Sequence, residues 1–383
     1  MAPAGAIPIL RTSKPKPNIN LASAIALAMA EPGQSGLRMV RRMIRCQLSL
    51  QMLTPVEFFR YGLYRPNLSE AECQAFLCDR AMWRLNALLN GTEDQNDTTV
   101  LMDKLATARI LDAAGLPQAV ELATYHPETG TLRSAADIVA FLLTPGNLPL
   151  FGKPVHARST LGVAAVERVV DKGRVELGDK RVVSAARLAA EIVANYSKGY
   201  VFQELLRASD AMLPLSGPVV PTLRVTTLVL GGTPVPIYAA LRLPAVGAMA
   251  DDGLSGENAR LHLDVHSGAV LRGQNMSRFC GSDLEVAPVT GLPLKGAVVP
   301  EWPAVLKLSV EVHQQFKRHT CVGTDIALSH RGLIVNEANA HPHHMTYQMV
   351  SSRGILNDEL RPLFRQALAE KGVTSAPKGT VWP

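Results

Sequence analysis

Apolar positions recur every three or four residues through the first hundred positions of this chain, which is the period of an amphipathic helix. The pattern predicts helices over 37–53, 55–64 and 70–89. Ser69 and Glu72 have the spacing of a capping box at the start of the third helix. The polar run 90–97 ends this stretch, so the sequence indicates a helical amino-terminal unit.

Beyond residue 100, short apolar runs bounded by turn residues replace the helical pattern. Strands are predicted over 148–153, 164–170, 174–177, 200–206, 223–230, 235–243, 261–265 and 270–272. Further helices are predicted over 102–114, 302–319 and 357–371. Strands and helices interleave without a regular strand–helix–strand repeat, which predicts an α+β fold with antiparallel sheets.

Two apolar strands joined by a turn at 329–332 carry polar side chains, Asp325 on the first and Glu337 and Asn339 on the second. Since alternate residues of a strand face the same side, Glu337 and Asn339 point together, and antiparallel pairing would bring Asp325 opposite them. Three hard oxygen donors suit Mg²⁺, above all Mg²⁺ carried on nucleotide phosphates. The alternative is an ordinary hairpin with a solvated polar tip.

Cationic side chains on the predicted strands add to the candidate chemistry. Lys153 follows an apolar run and precedes a proline, which fixes its ammonium near the strand end, where it suits phosphate oxygens. Arg224 and Arg242 are flanked by apolar residues, where an arginine is costly unless it meets an anion. Both either face a cleft, where they would stabilise charge on a transferred phosphoryl group, or form structural salt bridges to Glu204 or Asp264.

Three histidines, His341, His343 and His344, directly follow the hairpin. Two of them are adjacent and Pro342 interrupts the run, which is poor spacing for a transition-metal site. Beside a magnesium–nucleotide site, His341 or His343 would serve as a contact to the acceptor substrate or as a base. A plain surface loop is the simplest alternative.

The composition is that of a folded globular protein, with 47% hydrophobic and 19% charged residues. No apolar run approaches the roughly 20 residues of a membrane-spanning helix. The five cysteines include no C-x-x-C pair, which predicts neither a zinc site nor a disulfide framework and agrees with a cytoplasmic, reducing setting. The Ala-rich run 21–30 imitates a secretory signal, but it leads into an Arg-rich helix rather than a mature amino terminus.

The net charge of +6 is modest, and only one group of basic residues is dense. Its members share a helix face at spacings of three and four: Arg38, Arg41, Arg42 and Arg45. This group is either a solvated face or a surface for an anionic partner. With 5% aromatic residues and no recognition motif, binding to nucleic acid is not supported.

The order of these motifs resembles the sugar-transfer-associated ATP-grasp family, which is related to glutamate-ligase-like ATP-grasp proteins. The matching stretches are 103–105, 151–154, 200–204, 222–227, 240–243 and 323–339. The resemblance implies an ATP-grasp fold, in which two α+β subdomains with antiparallel sheets sandwich ATP. It also implies that a carboxylate is activated as an acyl phosphate and captured by an amine or a similar nucleophile.

The resemblance further implies which residues bind Mg-ATP. The nucleotide contacts would be Lys104, Lys153, Ser159, Thr160, Gly162, Gln203 and Glu204, with Arg224 and Arg242 as catalytic residues. The family carries a mobile glycine-rich lid over the phosphates, and the corresponding loop 156–163 keeps Gly162 as its only glycine. We expect the neighbouring hydroxyls and the Arg158 guanidinium to compensate.

These observations divide the chain into five parts and predict one function with two alternatives. The parts are a flexible arm 1–20, a helical region 21–98, a nucleotide-binding subdomain 99–206, a catalytic and metal-binding subdomain 207–372 and a tail 373–383. We expect an ATP- and Mg²⁺-dependent ligase that joins a small-molecule carboxylate to an amine or a sugar-linked acceptor in polysaccharide biosynthesis, as a monomer or a homodimer. The alternatives are a kinase of the same fold acting on a hydroxyl, and a non-catalytic nucleotide-binding partner of glycosyltransferases.

Overall fold

Helices fill the amino-terminal part of the chain, as the apolar spacing predicts. The structure, a computed structural model, describes residues 7–13, 20–91, 100–101, 103–156, 161–250, 259–275, 282–375 and 382–383. The helices are α1 (Leu21–Met29), α2 (Gly36–Leu48), α3 (Pro55–Arg60), α4 (Glu70–Gln74) and α5 (Asp79–Asn90). The predicted capping box is present, since Ser69 Oγ accepts from the Glu72 amide and the Glu72 carboxylate accepts from the Ser69 amide.

The single helix predicted over 70–89 is wrong, because the chain leaves the helical path between α4 and α5. The side chain of Gln348 accepts a hydrogen bond from the Leu77 amide at 2.8 Å and donates one to the Leu77 carbonyl at 2.9 Å. The Leu356 amide donates to the Ala75 carbonyl at 2.9 Å. These long-range partners replace the bonds that a continuous helix would make, so packing against the carboxyl-terminal region breaks the helix.

The first sheet lies in the middle of the chain and is antiparallel in the order β1-β6-β2-β3-β4-β5. Its strands are β1 (Glu121–Tyr125), β2 (Leu150–Pro154), β3 (Ala164–Asp171), β4 (Arg174–Leu177), β5 (Val182–Ser184) and β6 (Tyr200–Glu204). The accompanying helices are α6 (Lys104–Ala113), α7 (Ala135–Leu143) and α8 (Ala185–Asn195). Ile138 and Leu142 of α7 and Leu188 and Ile192 of α8 are buried in one apolar core with the sheet.

The second sheet is larger and also antiparallel, in the order β11-β10-β9-β8-β7-β12-β13. Its strands are β7 (Thr222–Leu230), β8 (Thr233–Leu243), β9 (Ala259–Leu263), β10 (Val270–Asn275), β11 (Ser282–Leu284), β12 (Cys321–Ser329) and β13 (Gly332–Asn339). The helices of this part are α9 (Leu213–Ser216), α10 (Trp302–Gln314), α11 (Met345–Ser351) and α12 (Leu360–Glu370). Two antiparallel sheets with mixed helices confirm the α+β class.

The amino-terminal helices are fixed to the large sheet by two buried asparagines of α5. Asn90 accepts from the amides of Thr320 and Cys321 at 2.8 and 2.9 Å and donates to the carbonyls of Cys321, at 2.7 Å, and Ala340. Asn86 donates to the carbonyl of Pro342 at 3.1 Å. Strands β12 and β13 form the predicted metal hairpin. Helix α5 therefore holds the start of β12 and the segment that follows β13.

The structure also bears on the expectations about membrane-spanning helices and about the cysteines. Within the described ranges no helix has both the length and the apolar character needed to cross a bilayer. The cysteines described are buried free thiols: Cys46, Cys73, Cys78 and Cys321. Cys280 lies outside the described residues.

Candidate functional site

A cleft opens where the β12–β13 hairpin meets the small sheet, and four predicted site residues line it. Lys104 lies at the first position of α6, Lys153 on β2, Gln203 on β6 and Glu337 on β13. The segment before β1 is attached to the hairpin beside the cleft, because the Val335 amide of β13 donates to the Pro117 carbonyl at 2.8 Å. The structure thus brings together residues that are 233 positions apart in the sequence, counting from Lys104 to Glu337.

The hairpin has the predicted turn and pairing, and a β-bulge orients its carboxylate. Asp325 pairs with Glu337 and Gly323 with Asn339, so the three predicted metal ligands share one face. The register shifts between Asp325 and Ile326, which pairs with Val335, so Asn336 is an extra residue on β13. Without the bulge, Glu337 would share the face of buried Val335. The bulge keeps Val335 in the core and turns Glu337 to the cleft.

Lys153 is buried in the cleft, close to Lys104 and Glu337. Burial and the positive charge of Lys104 lower the pKa of Lys153 to about 8, against the opposing influence of Glu337. Lys153 pairs with Val201 and Phe151 with Gln203 across β2 and β6, so Lys153 and Gln203 share the cleft face of the small sheet. The lining of the cleft holds two lysines, Lys104 and Lys153, and two carboxylates, Glu121 and Glu337, and the ammonium groups are the partners that it offers to an anionic ligand.

The arginines Arg224 and Arg242 both meet Asp325. Arg224 donates from Nε and Nη2 to the two carboxylate oxygens of Asp325 at 2.6 Å each, and Arg242 Nη2 lies 3.4 Å from Oδ2. The two guanidinium groups, Arg224 before Arg242, keep the pKa of the buried Asp325 low despite its desolvation. The salt-bridge alternative named Glu204 and Asp264 as partners, and this is wrong: Glu204 pairs with Arg331, and Asp264 accepts bonds from Ser267.

Sequence reasoning missed a polar row that continues this face of the large sheet. Arg242 of β8 pairs with Arg260 of β9, and Arg260 pairs with Gln274 of β10. Directly paired residues of adjacent strands point to the same side, so these side chains extend the surface around Asp325. The signal was available, because Arg260 stands between Ala259 and Leu261 just as Arg224 stands between Leu223 and Val225.

Two predicted nucleotide contacts make other bonds in this structure. Gly162 has a positive φ of 74°, its amide donates to the Arg11 carbonyl at 2.8 Å, and its carbonyl accepts from the hydroxyl of Tyr200 at 2.8 Å. Glu204 accepts from the Val120 amide at 2.8 Å and pairs with Arg331 at the hairpin turn. Their contacts with a nucleotide stay predictions. Arg158, Ser159 and Thr160 lie outside the described residues.

The three histidines connect the hairpin to α5. His343 Nε2 lies 2.9 Å from Asp79 Oδ1, and the ring of His341 packs on Trp83 with centroids 4.7 Å apart. His344 is buried, and burial lowers its pKa to about 3, aided by the charges of the two neighbouring histidines. The described residues bring no three His, Cys, Asp or Glu side chains together as a metal site. The histidines therefore mainly join two parts of the fold.

The tautomer of His344 follows from its partners. Asn86 Nδ2 donates to the Pro342 carbonyl, which turns Asn86 Oδ1 toward His344 Nε2 at 2.9 Å. An amide oxygen only accepts, so Nε2 carries the proton and Nδ1 accepts from the hydroxyl of Tyr238 at 2.7 Å. A neutral ring satisfies both contacts, whereas a protonated ring would lose the bond that Tyr238 donates.

One comparison with known protein families agrees with the resemblance found in the sequence. Residues 85–361 match the family described as sugar-transfer associated ATP-grasp. Similar solved structures include an L-amino acid ligase from Bacillus licheniformis, with 14% identity, a TM-score of 0.39 and coverage of 71% of this chain and 48% of the ligase. A D-alanine-D-alanine ligase from Coxiella burnetii has 14% identity, a TM-score of 0.40 and coverage of 72% and 60%. D-alanyl-alanine synthetase A from Vibrio cholerae has 12% identity, a TM-score of 0.42 and coverage of 72% of this chain and 66% of the synthetase.

The family match carries the assignment, because these structural likenesses are distant. The chain spans about half of the L-amino acid ligase and under two thirds of the Coxiella ligase. No curated protein matches the chain. The family match covers well over half of the sequence and contains every predicted site residue. The chain belongs to the sugar-transfer-associated ATP-grasp family.

Proposed function

We propose that this protein is an ATP- and Mg²⁺-dependent ligase that activates a carboxylate as an acyl phosphate and couples it to an amine or a similar nucleophile. The observation that carries the proposal is the cleft between the two sheets, which collects Lys104, Lys153, Gln203 and Glu337. Family membership supports the use of ATP. A sugar-linked or polysaccharide precursor as acceptor belongs to the proposal and rests on the family description alone. A cytoplasmic location also belongs to the proposal and rests on the cysteine pattern of the sequence.

The two lysines of the cleft fit a polyphosphate. Lys104 and Lys153 are close enough for one to lower the pKa of the other, which is unfavourable until an anion joins them. Lysine ammonium groups on a strand end and a helix start present several N–H donors to phosphate oxygens. In the proposed complex Lys104 and Lys153 bind the phosphates, and Gln203 on the same face of β6 contacts the base.

The hairpin residues fit Mg²⁺ with one adjustment. Glu337 and Asn339 share the cleft face, and Asn339 Nδ2 lies 3.4 Å from the Gly323 carbonyl, which leaves its amide oxygen as a donor to a metal. Both oxygens of Asp325 already accept from Arg224, so Asp325 would enter the metal site only as a shared ligand. One or two carboxylates completed by phosphate oxygens and water is how proteins usually hold Mg²⁺. When bound, Mg²⁺ neutralises charge on phosphate oxygens.

The pair of arginines has a role in the proposed reaction. Arg224 is fixed by its two bonds to Asp325, and Arg242 Nη2 lies 3.4 Å from the same carboxylate. We assign to Arg242 the stabilisation of charge on the transferred phosphoryl group, since preorganised donors contribute most where charge develops. Arg224 holds Asp325 and so orients the hairpin. Arg242→Gln is expected to lower kcat about a hundredfold or more with little change in thermal stability.

Nucleotide binding is tested first, by thermal melting with and without Mg-ATP. A ligand at about 100 times its Kd adds roughly 2.7 kcal/mol to the free energy of unfolding. The wild type should be stabilised, and Lys153→Met and Glu337→Gln should be stabilised less. Lys198→Met is the matched control, because Lys198 is an exposed lysine on the loop before β6. Absence of any shift in the wild type would refute the proposed nucleotide site.

The reaction class is tested by the fate of the γ-phosphate in the presence of carboxylate and amine pairs. A ligase releases ADP and inorganic phosphate in equal amounts, whereas a kinase leaves the phosphoryl group on its product. Labelled phosphate recovered on a hydroxyl product would identify the kinase alternative. Binding of Mg-ATP without turnover of any tested pair, together with retained affinity for a glycosyltransferase, would instead identify the non-catalytic alternative.

A further inference from the structure

Helix α2 has two apolar faces, and only one of them is used by the fold. Met39, Met43 and Cys46 face inward and pack in the amino-terminal core. A second stripe, Leu37, Val40, Ile44 and Leu48, lies on the opposite side at spacings of three and four residues. These four side chains are 83%, 42%, 48% and 81% exposed. A contiguous exposed stripe of this kind marks an interaction surface rather than a feature of the core.

The neighbouring helix α1 continues this apolar surface. Its Ala24 and Ala28 are buried, whereas Leu21, Ile25 and Met29, spaced at four residues, are exposed along its length. The end of α1 reaches α2, since a Cβ atom built on Gly36 would lie 3.6 Å from the sulfur of Met29. The exposed stripes of the two helices therefore belong to adjoining elements of the same end of the molecule.

Positive charge flanks the exposed stripe of α2. Arg38 and Arg41 are exposed, and neither forms an ion pair with any residue in the described ranges. Arg42 is occupied, because it donates to the carbonyls of Leu63, Arg65 and Leu68 at 2.7–3.0 Å, and Arg45 pairs with Glu70. The four arginines line one recess beside the helix. Neither α1 nor α2 contains an acidic residue.

We propose that the face formed by α1 and α2 binds the surface of a bilayer that contains anionic phospholipids. The exposed leucines, valine and isoleucine would enter the boundary between headgroups and acyl chains, and Arg38 and Arg41 would meet the lipid phosphates. A second copy of the chain is a poorer occupant, because a two-fold contact through α2 would bring the same arginines face to face. The binding is peripheral and is independent of ATP.

The test is co-sedimentation of the full chain with vesicles of phosphatidylcholine, with and without phosphatidylglycerol. The wild type should bind the anionic vesicles and bind neutral vesicles far more weakly, with added salt weakening the first. Each basic residue near an anionic surface strengthens binding about fivefold, so Arg38→Gln/Arg41→Gln should bind about 25-fold more weakly. Lys172→Gln/Lys198→Gln removes the same charge from exposed positions of the small-sheet region and is expected to change binding little.

The apolar contribution is tested by Leu37→Gln/Leu48→Gln, with Leu271→Gln on β10 as the control for loss of an exposed leucine. The double variant should lose vesicle binding at least tenfold while keeping the wild-type melting temperature, because both leucines are exposed. Equal binding to neutral and anionic vesicles, or unchanged binding in both double variants, would overturn the proposal. A dimer in sedimentation velocity that disappears in Leu37→Gln/Leu48→Gln would also overturn it and assign this face to self-association.

Discussion

Replacement of Lys153 by methionine should stabilise the fold while it weakens nucleotide binding. The difference between a pKa of 10.5 and one of about 8 corresponds to about 3 kcal/mol of cost for the charged lysine in the folded state. Part of the side chain remains accessible to water, so we expect about 1–2 kcal/mol of added stability in Lys153→Met at pH 7. Methionine keeps the length and apolar stem of lysine, so the neighbouring packing is retained.

The pH dependence of the stability difference between wild type and Lys153→Met is a second, independent test of this prediction. The folded-state pKa lies below that of the unfolded chain, so at pH 7 the lysine is protonated in both states and the full cost is present. As the pH rises from about 8 toward 10.5, the folded protein releases the proton first and the wild type gains stability relative to Lys153→Met. The two unfolding curves should therefore converge at alkaline pH.

The assay is urea unfolding of wild type, Lys153→Met and the control Lys198→Met at pH 7 and at pH 9.5, each with and without Mg-ATP. Without nucleotide Lys153→Met should be the most stable of the three, and with nucleotide it should gain least. A variant that is less stable than the wild type at pH 7 would refute the electrostatic reasoning. A variant that gains as much from Mg-ATP as the wild type would refute the role of Lys153 at the phosphates.

Three further predictions concern the scaffold around the cleft. Asp325→Asn should lower the free energy of unfolding by about 3 kcal/mol, because it leaves buried Arg224 without its anion, and Arg224→Met/Asp325→Leu should recover most of that loss in a double-mutant cycle. Asn90→Ala removes four buried hydrogen bonds to β12 and its neighbour, so we expect a loss of about 3 kcal/mol, and hydrogen exchange should show faster exchange of the Cys321 amide. The pKa of His344 is lowered to about 3, so the unfolded chain takes up its proton first and the free energy of unfolding should fall as the pH drops below 6.5. The free energy of unfolding of His344→Gln should fall less steeply with decreasing pH. An equally steep fall would contradict the assignment.

The site was partly readable from sequence because its chemistry depends on short-range patterns. The alternation of apolar and polar residues around Glu337 and Asn339 predicts a strand, and the turn before it predicts a hairpin that brings Asp325 across from them. The structure confirms the hairpin, and the bulge at Asn336 sets the pairing of Asp325 with Glu337. The flanking of Arg224 and Arg242 by apolar residues predicts that each meets an anion, and both meet Asp325. The identity of that anion could not be read, since it depends on which strands become neighbours.

The errors and omissions have the same origin. The break between α4 and α5 is imposed by Gln348, which is 271 positions from Leu77 in the sequence. The bulge at Asn336 changes the side on which Glu337 points, and no local residue preference announces it. The histidines after the hairpin were open to several interpretations because their partners lie on α5, far earlier in the chain.

The sequence by itself determined the periodicities, and through them the helical start, the strands, the hairpin and the family to which the chain belongs, because these depend on neighbours within a few positions. Only the tertiary structure decided which charges meet. It places Lys104 and Lys153 in one cleft with Glu337, pairs Asp325 with Arg224, and leaves one apolar face of α2 exposed to solvent. The physical reason is that electrostatic energies and burial depend on distances in space, which strand order and helix packing set and which local spacing along the chain does not contain.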